Sequence, residues 1–326
     1  MDVLQGESGI SVAKAQLSAG GCVALPTETV YGLAADASNS EAVRRIFTAK
    51  GRPENHPLII HIPSAEHLQR WADPITDDVQ RLASAFWPGP LTLILPKRPD
   101  INTPASAGLP TLGLRVPEHP LFLRILRELD IGLAAPSANR YKGLSPTCAE
   151  QVVDQLDGRI EAVLDGGSCS RGIESTIVDM SSQPYRVLRA GPITAAQLEA
   201  ILGKPVLVPE RHSEVVPGNV QAHYQPRTPV FLDSAESLAT LADEKIEETG
   251  FIVYSDALRK ILTKRSVTNL IELDAEPASY AREIYYALFS LDRAGLSSIR
   301  VEQPPTTPAW LAINDRLGRS ASPDHT

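Results

Sequence analysis

Several short polar clusters in this chain carry residue types able to bind charged substrates, and each sits at the end of an apolar run. The first is Pro26-Thr27-Glu28-Thr29-Val30-Tyr31-Gly32-Leu33, two hydroxyls and a carboxylate directly behind Gly21-Cys22-Val23-Ala24-Leu25. Such groups at the end of a buried strand stand where open α/β sheets place ligands. The same residues equally suit a helix start capped by Thr27 or Thr29. Lys50 and Arg52 bracket Gly51 just ahead of Pro53. Two cations on a stiff turn make a phosphate clamp, with Arg giving paired donors and Lys a point charge, or else the cationic end of a helix. His56 and His61 flank and end the apolar run 58–62, where a histidine is ordinarily a core residue. Arg115 lies in Leu112-Gly113-Leu114-Arg115-Val116. An unpaired buried charge costs several kcal/mol, so this arginine requires a carboxylate: Glu174 or Asp165 within the chain, or one that belongs to a ligand.

Pro136-Ser137-Ala138-Asn139 and Ser145-Pro146-Thr147 set small polar groups on proline-braced turns, as helix caps or as ligand contacts. Gly172-Ile173-Glu174-Ser175-Thr176 opens a further strand with a carboxylate and two hydroxyls. Neither a GxxxxGK[ST] loop, an HExxH pair, a GxSxG elbow nor an EF-hand is present, and no nucleophile–base pair emerges. Chemistry here rests on positioning and charge stabilisation, not covalent attack.

The elements that must position these groups are legible from periodicity. Helical spacing covers residues 11–19, 39–49 (capped by Asn39 or Ser40), 76–86, 119–129 and 147–156; apolar runs at 58–62, 91–95, 112–116, 131–135, 162–165, 175–179 and 186–189 read as strands. This predicts a mixed α/β domain over 1–203. Residues 204–228 are proline-rich and read as a linker, yet contain Ala222-His223-Tyr224-Gln225-Pro226, an unusual content for a passive spacer. From 229 to 326 strands and helices alternate: strands at 229–232, 251–255, 269–274 and 298–302, helices near 234–248, 256–264, 277–293 and 309–319. That is the pattern of a small Rossmann-like parallel sheet without a GxGxxG fingerprint.

Composition narrows the class. Of 326 residues, 43% are hydrophobic and 21% charged, with a net charge of −8, which argues against a globally basic nucleic-acid surface and against stable tRNA binding. Three dispersed cysteines with no CxxC pair fit a reducing compartment and exclude a zinc ribbon. No secretory signal or membrane span is apparent, so a cytoplasmic location is expected.

Taken together, PTETVYGL, KGRPENHPLIIHI, WPGPLTLIL, GLRVPEHP, APSAN with its following SPT, GIESTIVD and VLRAGPIT closely resemble, in order and spacing, the YrdC-like threonylcarbamoyl-AMP synthases. The linker's PG-x4-HY-x-P and the terminal Ala312-Ile313-Asn314-Asp315-Arg316-Leu317 resemble the long, two-domain form. The resemblance implies synthesis of threonylcarbamoyl-AMP and pyrophosphate from L-threonine, bicarbonate or CO2, and ATP, the first step of a tRNA modification. It also implies Mg2+ carried on the phosphates and a downstream transferase complex as recipient. By position it gives threonine to Thr29, His61, Arg115, the Ala135 backbone and Ser175. ATP falls to Lys50, Arg52, His56, Thr111, Ser137, Asn139, Ser145 and Arg189, with Lys50 and Arg52 as the catalytic pair and His223-Tyr224 folding over the nucleotide as a lid. Arg115 would then take the amino acid's carboxylate. This sequence departs from the family's usual pattern at Arg140-Tyr141-Lys142-Gly143, where a small Ser-Gly pair is common, and at Asn219, where Met is usual. The competing reading is an RNA-binding YrdC-like module that forms no adenylate.

Overall fold

The computed structural model describes residues 1–209, 223–241 and 246–322. Asn219 and most of the Pro-rich stretch lie outside them. The described residues form two units. The first comprises Met1–Tyr141, Ser145–Ser170 and the described residues from Glu174 to 209; the second comprises His223 onward together with Lys142–Leu144 and Arg171–Ile173.

The first unit is built on a ten-stranded mixed sheet. Its strands are β1 (Asp2–Leu4), β2 (Val23–Leu25), β3 (Gly32–Asp36), β4 (Ile59–His61), β5 (Leu91–Pro96), β6 (Thr111–Arg115), β7 (Leu133–Ala134), β8 (Ala162–Leu164), β9 (Thr176–Asp179) and β10 (Arg186–Arg189). Their spatial order is β1-β8-β2-β3-β7-β4-β6-β5-β9-β10. The apolar runs are continuous because both faces are covered: Val23 and Leu25 enter the core under the helices Gly6–Ser18 and Pro120–Leu129, while Cys22 and Ala24 enter the core on the other face. Each fully buried Leu, Ile or Phe in these layers contributes roughly 2–3 kcal/mol.

Most expected elements are present, many with ends shifted by a residue or two; the first helix begins at Gly6, not residue 11, the helix expected near 234–248 is described as Ala235–Ala239, and β1 and the helix Ala195–Leu202 were not expected. The exceptions are informative. β3 was not expected, since Gly-Leu-Ala-Ala-Asp lacks the β-branched residues that mark a strand. Small side chains are what its place requires: a Cβ on Gly32 would stand 3.2 Å from the Ala135 Cβ. The helix-start reading of PTETVYGL is likewise replaced. The Thr27 hydroxyl accepts from the N–H groups of Thr29 and Val30 at 3.0 and 3.1 Å, closing a turn that leads into β3.

The second unit holds a four-stranded parallel sheet of β11 (Val230–Asp233), β12 (Thr249–Val253), β13 (Leu270–Glu272) and β14 (Ser298–Glu302), ordered β11-β14-β12-β13. The buried Glu302 carboxylate accepts from the N–H groups of Tyr254 and Ser255 at 2.8 and 3.0 Å, satisfying donors at the start of the helix Asp256–Lys264. Within this unit the Tyr224 ring is buried beside Tyr285 and Arg316, and its carbonyl accepts from the Ser320 hydroxyl at 2.8 Å. Gln225 donates its N–H to the Lys142 carbonyl at 2.9 Å. Lys142, one of the departing residues, therefore meets the linker's end in this unit.

Candidate active site

One strand pair positions several of the expected residues. β4 and β6 run parallel, with His61 opposite Arg115 and Ile59 opposite Gly113. Their carboxyl ends thus present His61 and Arg115 side by side. Thr111 begins β6, about 13 Å from Arg115 along an extended strand. Thr111 and His56 thus lie toward the amino ends of these strands and His61 and Arg115 at their carboxyl ends, while the expected threonine and nucleotide residues meet where Arg189 bonds Ser175.

At the carboxyl end, Arg115 is buried and fully wired on one side. Its Nε donates to the Gly89 carbonyl at 3.2 Å, and Nη2 donates to Glu28 Oε1 at 2.5 Å and to Thr29 Oγ1 at 3.0 Å. The carboxylate partner is Glu28, neither of the two weighed from the sequence. Glu174 instead accepts from the Ser145 hydroxyl at 2.6 Å, and Asp165 accepts from Gln5 and from the Gly167 N–H. Glu28 comes from the opening motif, and the turn closed by Thr27 is what swings it inward. The other Glu28 oxygen accepts from the Glu118 N–H at 3.0 Å.

His61 is buried under the helix Pro120–Leu129, stacked on Phe122 with ring centroids 5.1 Å apart, and its Nδ1 makes no hydrogen bond. Burial, reinforced by the Arg115 charge, holds its pKa well below the ordinary histidine value. The folded protein keeps this ring neutral, while the unfolded chain takes up its proton below about pH 6.5. Stability should fall as the pH drops from 6.5 toward the lowered folded value, by up to ~1.4 kcal/mol per pH unit from this group. Urea denaturation of the wild type and of His61→Leu, compared at pH 7 and 5.5, should show a shallower acid loss in the variant.

Ser175 reaches the same region through the neighbouring strands. Its hydroxyl lies 2.7 Å from that of Thr92 on β5, and Arg189 grips its carbonyl at 2.9 Å and its hydroxyl at 3.1 Å. Thr92 carried no signal beyond a hydroxyl in an apolar strand. The Ala135 N–H is taken by the Ile59 carbonyl at 3.0 Å, so the main-chain group Ala135 can offer a ligand is its carbonyl.

At the amino end, Lys50 closes the helix Ser40–Lys50, and Gly51 follows in the left-handed conformation (φ 64°). The lysine is buried, and its ammonium donates to the carbonyls of Ser137 and Asn139, each at 2.6 Å, and more distantly to Asn139 Oδ1 at 3.4 Å. Three hydrogens meet three protein oxygens. In this state Lys50 is the strut of the loop 136–139 and not an open point charge for phosphate. Burial, with Arg52 adding, lowers its pKa well below that of a free lysine. Arg52 donates to the Pro57 carbonyl at 3.1 Å, placing it at the start of β4 beside His56, whose Nδ1 lies 3.4 Å from the Tyr141 hydroxyl. The loop is stitched to the opening motif by the Leu33 N–H on the Pro136 carbonyl and the Ala138 N–H on the Tyr31 carbonyl, both at 2.7 Å. Ser137 is half-buried with its hydroxyl unengaged by the described residues. His223 and Tyr224 belong to the second unit, where their rings meet edge-on at 4.1 Å.

Comparison with known proteins bears on this arrangement. Residues 15–191 match the Sua5/YciO/YrdC family profile, described as "Telomere recombination", and residues 193–322 match the threonylcarbamoyl-AMP synthase C-terminal domain. The chain is 38% identical to a threonylcarbamoyl-AMP synthase of Bacillus subtilis, over 96% of this chain and 92% of that protein. It is 35% identical to the synthase of Pyrococcus abyssi, over 96% and 94%. The crystal structure of P. abyssi Sua5 complexed with L-threonine superposes with a TM-score of 0.88 at 33% identity, covering 98% of this chain and 97% of that one. With both family regions matched in order and the full length aligned, the chain belongs to the threonylcarbamoyl-AMP synthase family, in its two-domain form.

Proposed function

We propose that Arg115, Thr29, Ser175 and the Ala135 carbonyl hold L-threonine, and that the loop 136–139, Thr111 and Arg189 hold ATP alongside it, the two sets meeting at the Arg189–Ser175 contact. The family reaction then runs between them. The threonine amine adds to the carbon of CO2 and loses a proton, giving a carbamate; a carbamate oxygen attacks the α-phosphorus in line, the bond to the bridging oxygen breaks, and pyrophosphate leaves. With bicarbonate as the carbon source, water is the further product. The nucleophile belongs to the substrate, so the protein's work is to orient, neutralise charge and exclude water.

The observation that carries the reading is the Arg115 guanidinium, buried and fixed on three hydrogen bonds with Nη1 left for a carboxylate. His61, kept neutral, sits beside it without adding a second cation. The Ala135 carbonyl, Thr29 and Ser175 are the groups for the amine and hydroxyl. Arg52, His56, Thr111, Ser137, Asn139, Ser145 and Arg189 surround the nucleotide, with Lys50 holding its loop. Magnesium, in this reading, comes with the nucleotide substrate, its coordination supplied largely by phosphate oxygens and water. The labile product is passed to a transferase acting on tRNA. Pyrophosphate release should require threonine and bicarbonate together; release at an undiminished rate with either omitted would refute the assignment.

A further inference from the structure

We infer that Glu28 is a positioning residue for the substrate carboxylate, acting by occupying one nitrogen of Arg115; this rests on the threonine reading above. A guanidinium has five N–H donors and ordinarily takes a carboxylate through a two-nitrogen fork, Nε with Nη2 or Nη1 with Nη2. In this protein Nε–H is on Gly89, and the two Nη2 hydrogens are on Glu28 and Thr29. Both forks use Nη2, so both are closed. The two Nη1 hydrogens have no acceptor among the described residues. An incoming carboxylate therefore meets Arg115 end-on at Nη1, in one orientation.

Glu28 is built to hold this arrangement. It is buried, as is Arg115, and its second oxygen is pinned by the Glu118 N–H at 3.0 Å, so the carboxylate cannot swing away to follow the arginine. Thr29, which shares Nη2 with Glu28, has its hydroxyl fixed beside the guanidinium by the same nitrogen. The pair also neutralises the buried guanidinium, so that the empty site does not hold small anions indiscriminately. With Glu28 removed, Nη2 returns to the pool of free donors, the Nη1/Nη2 fork opens, and a carboxylate binds turned away from the geometry that aims the amine.

The test uses the full-length enzyme. Glu28→Gln, whose single amide oxygen can serve either Arg115 Nη2 or the Glu118 N–H but not both, should lower kcat/KM for threonine at least tenfold while the ATP dissociation constant stays within twofold, and acetate, harmless to the wild type, should inhibit the variant competitively with threonine. If Glu28→Gln does not fold, Glu28→Asp, which keeps the charge but is one methylene too short to span Arg115 and Glu118, is judged by the same split. A threonine kcat/KM within twofold of wild type, or equal losses toward threonine and ATP, would overturn the inference and leave Glu28 a structural ion pair. The parallel variant Arg115→Ala separates the two claims. If it impairs threonine use while Glu28→Gln does not, only the inference fails; if neither impairs it, the threonine site itself is wrong.

Discussion

Replacing Arg115 with alanine should lower kcat/KM for threonine by about two to three orders of magnitude, because truncating one side of a buried, hydrogen-bonded charge contact costs roughly 3–5 kcal/mol and each 1.4 kcal/mol is tenfold. ATP affinity should stay within about twofold of wild type, since Arg115's hydrogen-bond partners, Gly89, Glu28 and Thr29, include none of the residues assigned to the nucleotide. The single variant also strands Glu28 as a buried, unpaired carboxylate, so a fall in stability of similar size accompanies the fall in activity. The double variant Arg115→Met, Glu28→Leu separates these effects. Exchanging a whole buried ion pair for apolar residues of similar volume is often neutral or stabilising. The double variant should therefore recover much of the urea midpoint lost by Arg115→Ala and none of the threonine use. Recovery of activity along with stability would show that the pair only holds the fold.

Lys50→Met should have the next largest effect, on the other substrate. It preserves side-chain length but leaves the Ser137 and Asn139 carbonyls facing a methyl group in a buried place. Each carbonyl left without a partner costs roughly 1–3 kcal/mol. The loop 136–139 relaxes to find water, and the Ser137 hydroxyl and Asn139 lose their fixed positions. The ATP dissociation constant should rise at least about a hundredfold, equivalent to ~2.7 kcal/mol. Threonine protection of the fold should persist, because Arg115, Thr29 and Ser175 are held by other elements. Lys50→Arg should not rescue, since the larger planar fork does not fit a cage already closed on three oxygens at a buried position. Calorimetric titration with each substrate checks both statements; parallel loss of threonine and ATP binding would place Lys50 in a general structural role.

How far the sequence reaches is clearest at particular residues. The strand 112–116 with an arginine in it required an anionic partner, and the structure contains one. Its identity was not legible, because the Glu28–Arg115 contact joins elements 87 positions apart through a turn that no local preference encodes. His61 read as a core histidine, and it is one; only the parallel register of β4 with β6 shows that it also stands beside Arg115. Lys50 and Arg52 read as a cationic loop in either of two uses. The helix did continue to Lys50, yet burial turned its ammonium inward to the loop carbonyls, a tertiary outcome invisible to charge spacing. β3 escaped expectation for the opposite reason: its small residues satisfy close sheet packing against Ala135, which overrides weak strand propensity. The βαβ alternation of the C-terminal stretch needed none of these long-range contacts and was readable from periodicity alone, although the strand order β11-β14-β12-β13 was not.

The most direct measurement is mass spectrometry of a reaction containing ATP, L-threonine and carbon-13 bicarbonate. Threonylcarbamoyl-AMP carrying a single heavy carbon, formed in step with pyrophosphate and lost in Arg115→Ala, is the expected result. Pyrophosphate or AMP released with no labelled adenylate, under conditions where the authentic compound survives, would contradict the assignment.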